Sequence, residues 1–164
     1  MMQGYTKVIL QAEKYVYVET PYFLPNEPIL VALQTSAQAG VDVRLMIPLK
    51  PDSKLVGWAG KSFVKEAQEA SVKIYYYNKG FNHSKLLVTD DKLCSCGSTN
   101  FDFRSFENNF EANVFFYDEE LAVRMRKVFE ADMDNCTAHD ALYLKEKWHT
   151  RVAESVARLF SPLL

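Results

Sequence analysis

The sequence predicts a single α/β layered domain over residues 1–164, with a mixed, mostly parallel sheet flanked by helices. Three observations carry this expectation. Runs rich in β-branched and aromatic residues alternate with runs of helical periodicity, the pattern of βαβ units. Apolar residues make up 48% of the 164, enough for one core of ordinary size. No internal repeat, low-complexity tract or linker interrupts the pattern.

The elements follow in order. Tyr15-Val16-Tyr17-Val18 reads as a strand. The two prolines of Thr20-Pro21-Tyr22-Phe23-Leu24-Pro25 break it. Pro28 starts a helix that runs through Ile29, Leu30, Leu33 and Ala37 and stops at Gly40. Residues 41–47 form the next strand, closed by Pro48, with a loop over 48–52. Val56, Phe63, Val64 and Ala67 recur at helical spacing within 53–70. A third strand spans 72–77, and Asn78-Lys79-Gly80 makes a turn. Residues 84–88 and 93–96 flank Asp90-Asp91 and read as a hairpin. A strand over 112–117 precedes an amphipathic helix over 119–134, with Glu119 and Glu120 where the helix dipole favours negative charge. Over 143–160, Trp148, Val152, Val156 and Leu159, continued by Leu163, give one apolar helix face. Packing on the domain, or on a second half, is the preferred reading of that face over a membrane surface.

Charge and cysteine usage narrow the class. Nineteen Lys and Arg against 21 Asp and Glu give a net charge of −2, which argues against a broad basic field gripping nucleic acid. Cys94, Cys96 and Cys136 cannot all pair within one chain and show no zinc spacing, so no metal site and a reducing compartment are expected. Cys94 and Cys96 share a strand face and read as buried thiols. His139 and His149 read as surface residues, and Tyr75–Tyr77 and Phe115-Phe116 as strand core. No h-region of a signal peptide and no apolar run of the roughly 20 residues that span a bilayer is present. The chain by itself is expected to be soluble and cytoplasmic, or to sit on a membrane surface.

The chemistry concentrates in Asn82-His83-Ser84-Lys85-Leu86-Leu87-Val88-Thr89-Asp90. On a strand His83 and Lys85 share a face, roughly 6–7 Å apart at Cα. An imidazole and an ammonium so placed reach one phosphate: the lysine charge serves the non-bridging oxygens and the histidine attacks or moves a proton. A lone His-x-Lys reads more simply as a sheet-edge pair. After six intervening residues, however, Asp90 is followed by Gly97-Ser98-Thr99-Asn100. The whole reads H-x-K-x4-D-x6-G-S-x-N and resembles the HKD signature of the phospholipase D superfamily, which implies a phospholipase D-like layered sandwich. Gly97 is expected to let the chain turn at the strand end.

The resemblance places Asn100 with His83 and Lys85 around the phosphate and makes Ser98 a nearby hydrogen-bonding group. It gives Asp90, at a turn, a structural part. Glu111 matches the acid that follows the GSxN segment and is expected to hold the second ring nitrogen of His83, from a strand beside that of His83. Thr20-Pro21-Tyr22-Phe23-Leu24-Pro25, Ala39-Gly40-Val41-Asp42-Val43-Arg44, Asn100-Phe101-Asp102-Phe103-Arg104-Ser105-Phe106 and the final Arg158-Leu159-Phe160-Ser161-Pro162-Leu163-Leu164 resemble bacterial cardiolipin synthases over about 15–164.

That family implies phosphatidyl transfer without metal or other cofactor. Two phosphatidylglycerols yield cardiolipin and glycerol through a phosphohistidine, at the cytoplasmic side of the bacterial membrane. Family members carry two HKD motifs, so this chain resembles the second catalytic half. Its partners would be a phospholipid, a membrane surface, and a second HKD half or a second copy. His83 is then either nucleophile or general acid, the motif order favouring the acid. A homodimeric single-motif phosphodiesterase or nuclease, and an inactive fragment, are the alternatives.

Overall fold

The computed structural model describes residues 1–139, 156–159 and 161. In order the elements are α1 (Met2–Leu10), β1 (Tyr15–Glu19), β2 (Phe23–Leu24), α2 (Glu27–Gln38), β3 (Asp42–Pro48), α3 (Lys54–Glu69) and β4 (Lys73–Tyr77). They continue with β5 (Leu86–Thr89), β6 (Leu93–Gly97), β7 (Phe101–Asp102), α4 (Phe103–Glu107), β8 (Asn113–Phe116), α5 (Glu119–Met133) and β9 (Cys136–Ala138). Among the described residues, seven strands form one sheet in the order β8-β6-β5-β1-β3-β4-β9, and β2 and β7 pair apart from it.

The sheet is mixed and flanked by helices, but its parallel share is smaller than the pattern predicts. Only β1–β3 and β3–β4 are parallel; β1–β5, β5–β6, β6–β8 and β4–β9 are antiparallel. The connections explain this. α2 and α3 are crossovers long enough to bring the chain back in the same direction, whereas β5 and β6 are joined by a hairpin turn.

Strand alternation divides the core into two layers. Val16 and Val18 of β1 join Val43, Leu45 and Leu87 in a cluster with α1, α2 and α3. Tyr15 and Tyr17 point the other way and pack with Met46, Leu86, Val88 and Cys94 under Ala122 and Phe129 of α5. Gly40, at φ +94, ends the turn after α2, a conformation that favours glycine. Asp118 caps α5, its carboxylate accepting from Leu121 N at 2.9 Å.

Several expectations need correction. α1 buries Tyr5, Val8 and Ile9, an i, i+3, i+4 stripe too short to announce a helix by itself. Cys94 is buried but Cys96 is exposed, because the cluster under α5 covers the first and does not reach the second. His139 is half-buried: its ring stacks on Tyr76, and its Nδ1 lies 3.1 Å from the Tyr76 hydroxyl. Most of the segment 143–160, with His149, lies outside the described residues. Within 156–159, Ala157 is buried and the Arg158 guanidinium stacks 4.3 Å from the Phe63 ring centroid. Val156 and Leu159, assigned by spacing to the apolar face, are exposed there.

The turn at Asp90 and Asp91 takes left-handed backbone, with φ +55 and +56. Asp90 is buried, and its carboxylate accepts three backbone hydrogen bonds: from Glu13 N at 2.8 Å, and from Lys14 N and Tyr15 N at 2.9 Å each. It thereby ties the start of β1 to the β5–β6 hairpin. Asp91 accepts from Tyr15 Oη at 2.9 Å and from Arg126 Nε at 2.7 Å, tying α5 to the same turn. Asp90→Asn keeps a residue that tolerates positive φ but removes the charge and one acceptor oxygen. It is expected to cost about 2 kcal/mol of unfolding free energy, read as a lower urea midpoint with an unchanged m-value.

Candidate active site

Strand register gathers the motif at one end of the sheet. Glu19, the last residue of β1, pairs with Leu86, the first of β5. Leu86 in turn lies opposite Cys96, and Gly97 opposite Asn113. The start of β5 and the end of β6 therefore meet beside the carboxyl ends of β1, β3 and β4, where open α/β sheets bind ligands. Residues 83–85 precede β5 rather than belonging to it, and they are shaped by local bonds. Asn82 Oδ1 accepts from Ser84 N at 2.9 Å, and Asn82 Nδ2 donates to Glu19 Oε2 at 3.4 Å.

His83 and Lys85 meet as the motif predicts. Lys85 Nζ lies 3.2 Å from His83 Nδ1 and donates to the His83 carbonyl at 2.9 Å. His83 is exposed and Lys85 half-buried. Burial pulls the Lys85 ammonium below its ordinary range, and the carboxylates of Glu111 and Asp102 partly restore it. Tyr22, from the segment between β1 and β2, sets its ring edge-on to His83 at 6.5 Å, and Phe81 lies 5.7 Å away on the ring-centroid scale.

Ser98 and Glu111 form a second knot. The Ser98 hydroxyl donates to Glu111 Oε2 and accepts from Ala112 N at 3.0 Å. Glu111 Oε1 accepts from Ser105 Oγ at 3.2 Å and Asn109 Nδ2 at 3.3 Å. Glu111 is thus not on the His83 ring in this chain: it precedes β8, which pairs with β6, and β6 stands between β8 and β5. Its link to the pair is electrostatic, through Lys85. Asn100 is half-buried, and its Oδ1 has no hydrogen-bond partner among the described residues. It lines a polar pocket of about 260 Å³ with Tyr22, Asp52, Asp102, Arg104 and Asn109.

Gly97 has a different reason from the one expected. Its φ is not positive; instead the β8 backbone passes so close that a Cβ would overlap Asn113 Oδ1 and Ala112 O and lie 2.7 Å from Asn113 Cα. Only glycine lets β8 pair tightly enough to place Glu111 on Ser98.

Glu19 was not singled out by sequence reasoning. It is 1% exposed, its Oε1 lacks a partner, and burial raises its carboxyl above the usual range. The signal was one acidic residue closing an otherwise apolar strand.

Comparisons with known proteins show the family and the fold. The family model described as cardiolipin synthase, PLD-like domain, matches residues 5–133. The chain belongs to this family. Its matches include the cardiolipin synthase of Clostridium perfringens strain 13, at 43% identity over 98% of this chain and 34% of that protein. Cardiolipin synthase 1 of Staphylococcus aureus strain MRSA252 is 45% identical over 98% of this chain and 33% of its own length. The chain thus spans about a third of the curated relatives it matches. Among solved structures, the phospholipase D family member NUC from Salmonella typhimurium superposes with a TM-score of 0.74 at 17% identity, covering 84% of this chain and 89% of that one. Phosphatidylserine synthase from Haemophilus influenzae gives 0.71 at 14% identity, over 96% and 41%. Both show the phospholipase D fold. Among the described residues of this family member, no helix is long and apolar enough to cross a membrane.

Two outcomes follow from the site's packing. Gly97→Ala is expected to cost about 1–3 kcal/mol through overpacking against β8, seen as a lowered denaturation midpoint. Lys85→Met should do the opposite. A lysine with a depressed folded pKa binds fewer protons folded than unfolded, so its burden on stability is largest at neutral pH and lifts as pH rises toward the ordinary 10.5. The variant should be more stable than wild type at pH 7, with the difference shrinking above pH 9, in paired thermal melts.

Proposed function

We propose that this chain is a phosphatidyltransferase half-site, one of two HKD halves that together convert two phosphatidylglycerols into cardiolipin and glycerol. The single observation that carries the reading is the side-chain contact of Lys85 with His83 in a member of the cardiolipin synthase family. One histidine attacks phosphorus, and the bond from phosphorus to the leaving glycerol oxygen breaks as the other histidine gives that oxygen its proton. The hydroxyl of a second phosphatidylglycerol then displaces the phosphohistidine and returns a proton to the acid. Two modest displacements replace one difficult step.

His83 is the proton-transferring member of the pair in this reading. To give that proton the ring enters the step as the imidazolium and leaves it as neutral imidazole, and the proton returned in the second displacement restores it. Lys85 supplies positive charge to the non-bridging phosphate oxygens, and Asn100 offers its amide to the same phosphate. Glu111, held by Ser98, Ser105 and Asn109, keeps a negative charge behind Lys85 and fixes the wall of the site. The full reaction needs a second histidine, supplied by another HKD half or by a second copy. The membrane surface is where substrate is met, on the cytoplasmic face.

A homodimeric nuclease is the less favoured reading, since a net charge of −2 suits a phosphodiester backbone poorly. The test combines turnover with trapping. Phosphatidylglycerol transfer is expected only when the chain dimerises or is mixed with a first HKD half. His83→Ala should lower that rate by about 10²–10⁴. An acid-labile phosphohistidine should form in the mixture. Full turnover by a monodisperse monomer would sink the shared site, and cleavage of single-stranded DNA without lipid transfer would favour the nuclease.

A further inference from the structure

A second cavity opens next to the motif. It lies between α3 and the carboxyl ends of β3 and β4 and encloses about 310 Å³, at the lower bound of the roughly 300–1,000 Å³ usual for small-molecule pockets. Its floor is apolar, from Phe23, Ile47, Val64 and Tyr76. Lys54 and Lys61 stand on its wall. It shares Tyr22 and Val56 with the polar pocket of Asn100, so the two are neighbouring chambers of one cleft divided by these side chains. Tyr22 is also the residue whose ring meets His83.

The mouth is apolar as well. Leu49 and Trp58, which line the cavity, are 37% and 44% exposed; Leu55, between the lining residues Lys54 and Val56 on α3, and Phe81, whose ring lies 6.0 Å from that of Tyr22, are 40% and 38% exposed. Isolated exposed apolar residues need no explanation, but two lining one cleft, with two more next to its lining residues, form a patch of the kind that marks a binding site.

We infer that this cavity receives one acyl chain of the phospholipid whose phosphate lies at His83 and Lys85. The inference rests on the phosphate reading above and adds a site to it. Three features select the occupant. The chamber is walled by Tyr22, whose ring lies 6.5 Å from that of His83, so a ligand with its phosphate at His83 can extend past Tyr22 into it. The floor offers no charged group, which suits hydrocarbon. Lys54 and Lys61 on the cavity wall complement an anionic lipid and would not help a neutral apolar guest. Burial raises the Tyr22 hydroxyl to about 12, so the ring that divides the chambers keeps its proton and donates it to the Asp52 carboxylate.

The test uses the full chain and does not require turnover. The sequence holds two tryptophans, Trp58 and Trp148. In a Trp148→Phe background, emission comes from Trp58 alone. Phosphatidylglycerol carrying a brominated acyl chain, in dilute detergent, should quench it saturably, and unbrominated phosphatidylglycerol should reverse the quenching. Gly60→Leu then fills the chamber. A Cβ at Gly60 meets nothing nearer than Phe23 O at 3.5 Å, so the backbone accepts the change, and a melting curve checks the fold. Half-saturation should weaken by about tenfold or more in that variant.

Glycerophosphoglycerol, the headgroup without chains, serves as the second probe through the ring resonances of His83. If it shifts them while brominated lipid leaves Trp58 unquenched, the acyl site is overturned and the phosphate reading stands. Equal quenching in wild type and Gly60→Leu places lipid on the outer surface and also overturns it. Failure of both probes overturns the phosphate reading and the acyl site with it.

Discussion

Three backbone amides converge on one carboxylate, and the sheet is organised around that point. Glu13, Lys14 and Tyr15 donate to Asp90, which joins the segment after α1 to the hairpin of β5 and β6. Charge-assisted bonds to main-chain N–H groups are strong, and here they act at a buried turn where both Asp90 and Asp91 already take left-handed backbone. The clamp aligns β1 with β5 so that Val16 faces Thr89 and Glu19 faces Leu86. A slip of one residue would turn Tyr17 and Val18 to the wrong layers and carry His83 away from Tyr22. Asp90 thus serves the chemistry from the far end of the strand that leads to it.

The near end shows the opposite balance. Lys85 is half-buried with its ammonium disfavoured by desolvation, Asn100 keeps an unpaired oxygen, and Glu19 is a carboxyl in the interior. Each of these is a local cost to folding, and they cluster at the carboxyl ends of the parallel strands. Two packed layers and a clamped hairpin stabilise the frame that tolerates them. Sites that must present charge to a substrate characteristically carry such unfavourable groups.

Much of this was legible in the chain itself. The β-branched runs at 15–18 and 72–77, the proline and glycine that bound the second helix, and the hairpin around Asp90-Asp91 all rest on local rules, and local rules survive folding. The His83-x-Lys85 spacing was enough to bring the two side chains together, although they precede the strand instead of lying within it. Other features were hidden because they depend on distant neighbours. The antiparallel ladders of β8 and β9 follow from which edge each strand meets. Cys96 is exposed, and Cys94 is not, because of where α5 lies. His139 found Tyr76 across a strand pair that no local signal announces.

By itself the sequence determined the motif, the family to which it belongs and the α/β alternation, since each depends on residue type at fixed short spacing. Tertiary structure decided the rest. It moved Glu111 from the expected ring nitrogen of His83 to Ser98 and Ser105, because β6 lies between β8 and β5. It made Gly97 a requirement of close backbone approach and not of turn conformation. It set the apolar chamber beside Tyr22 by bringing α3 over the ends of β3 and β4. Sheet order and layer packing arise from contacts between residues far apart in the chain, and spacing along a single strand carries no record of them.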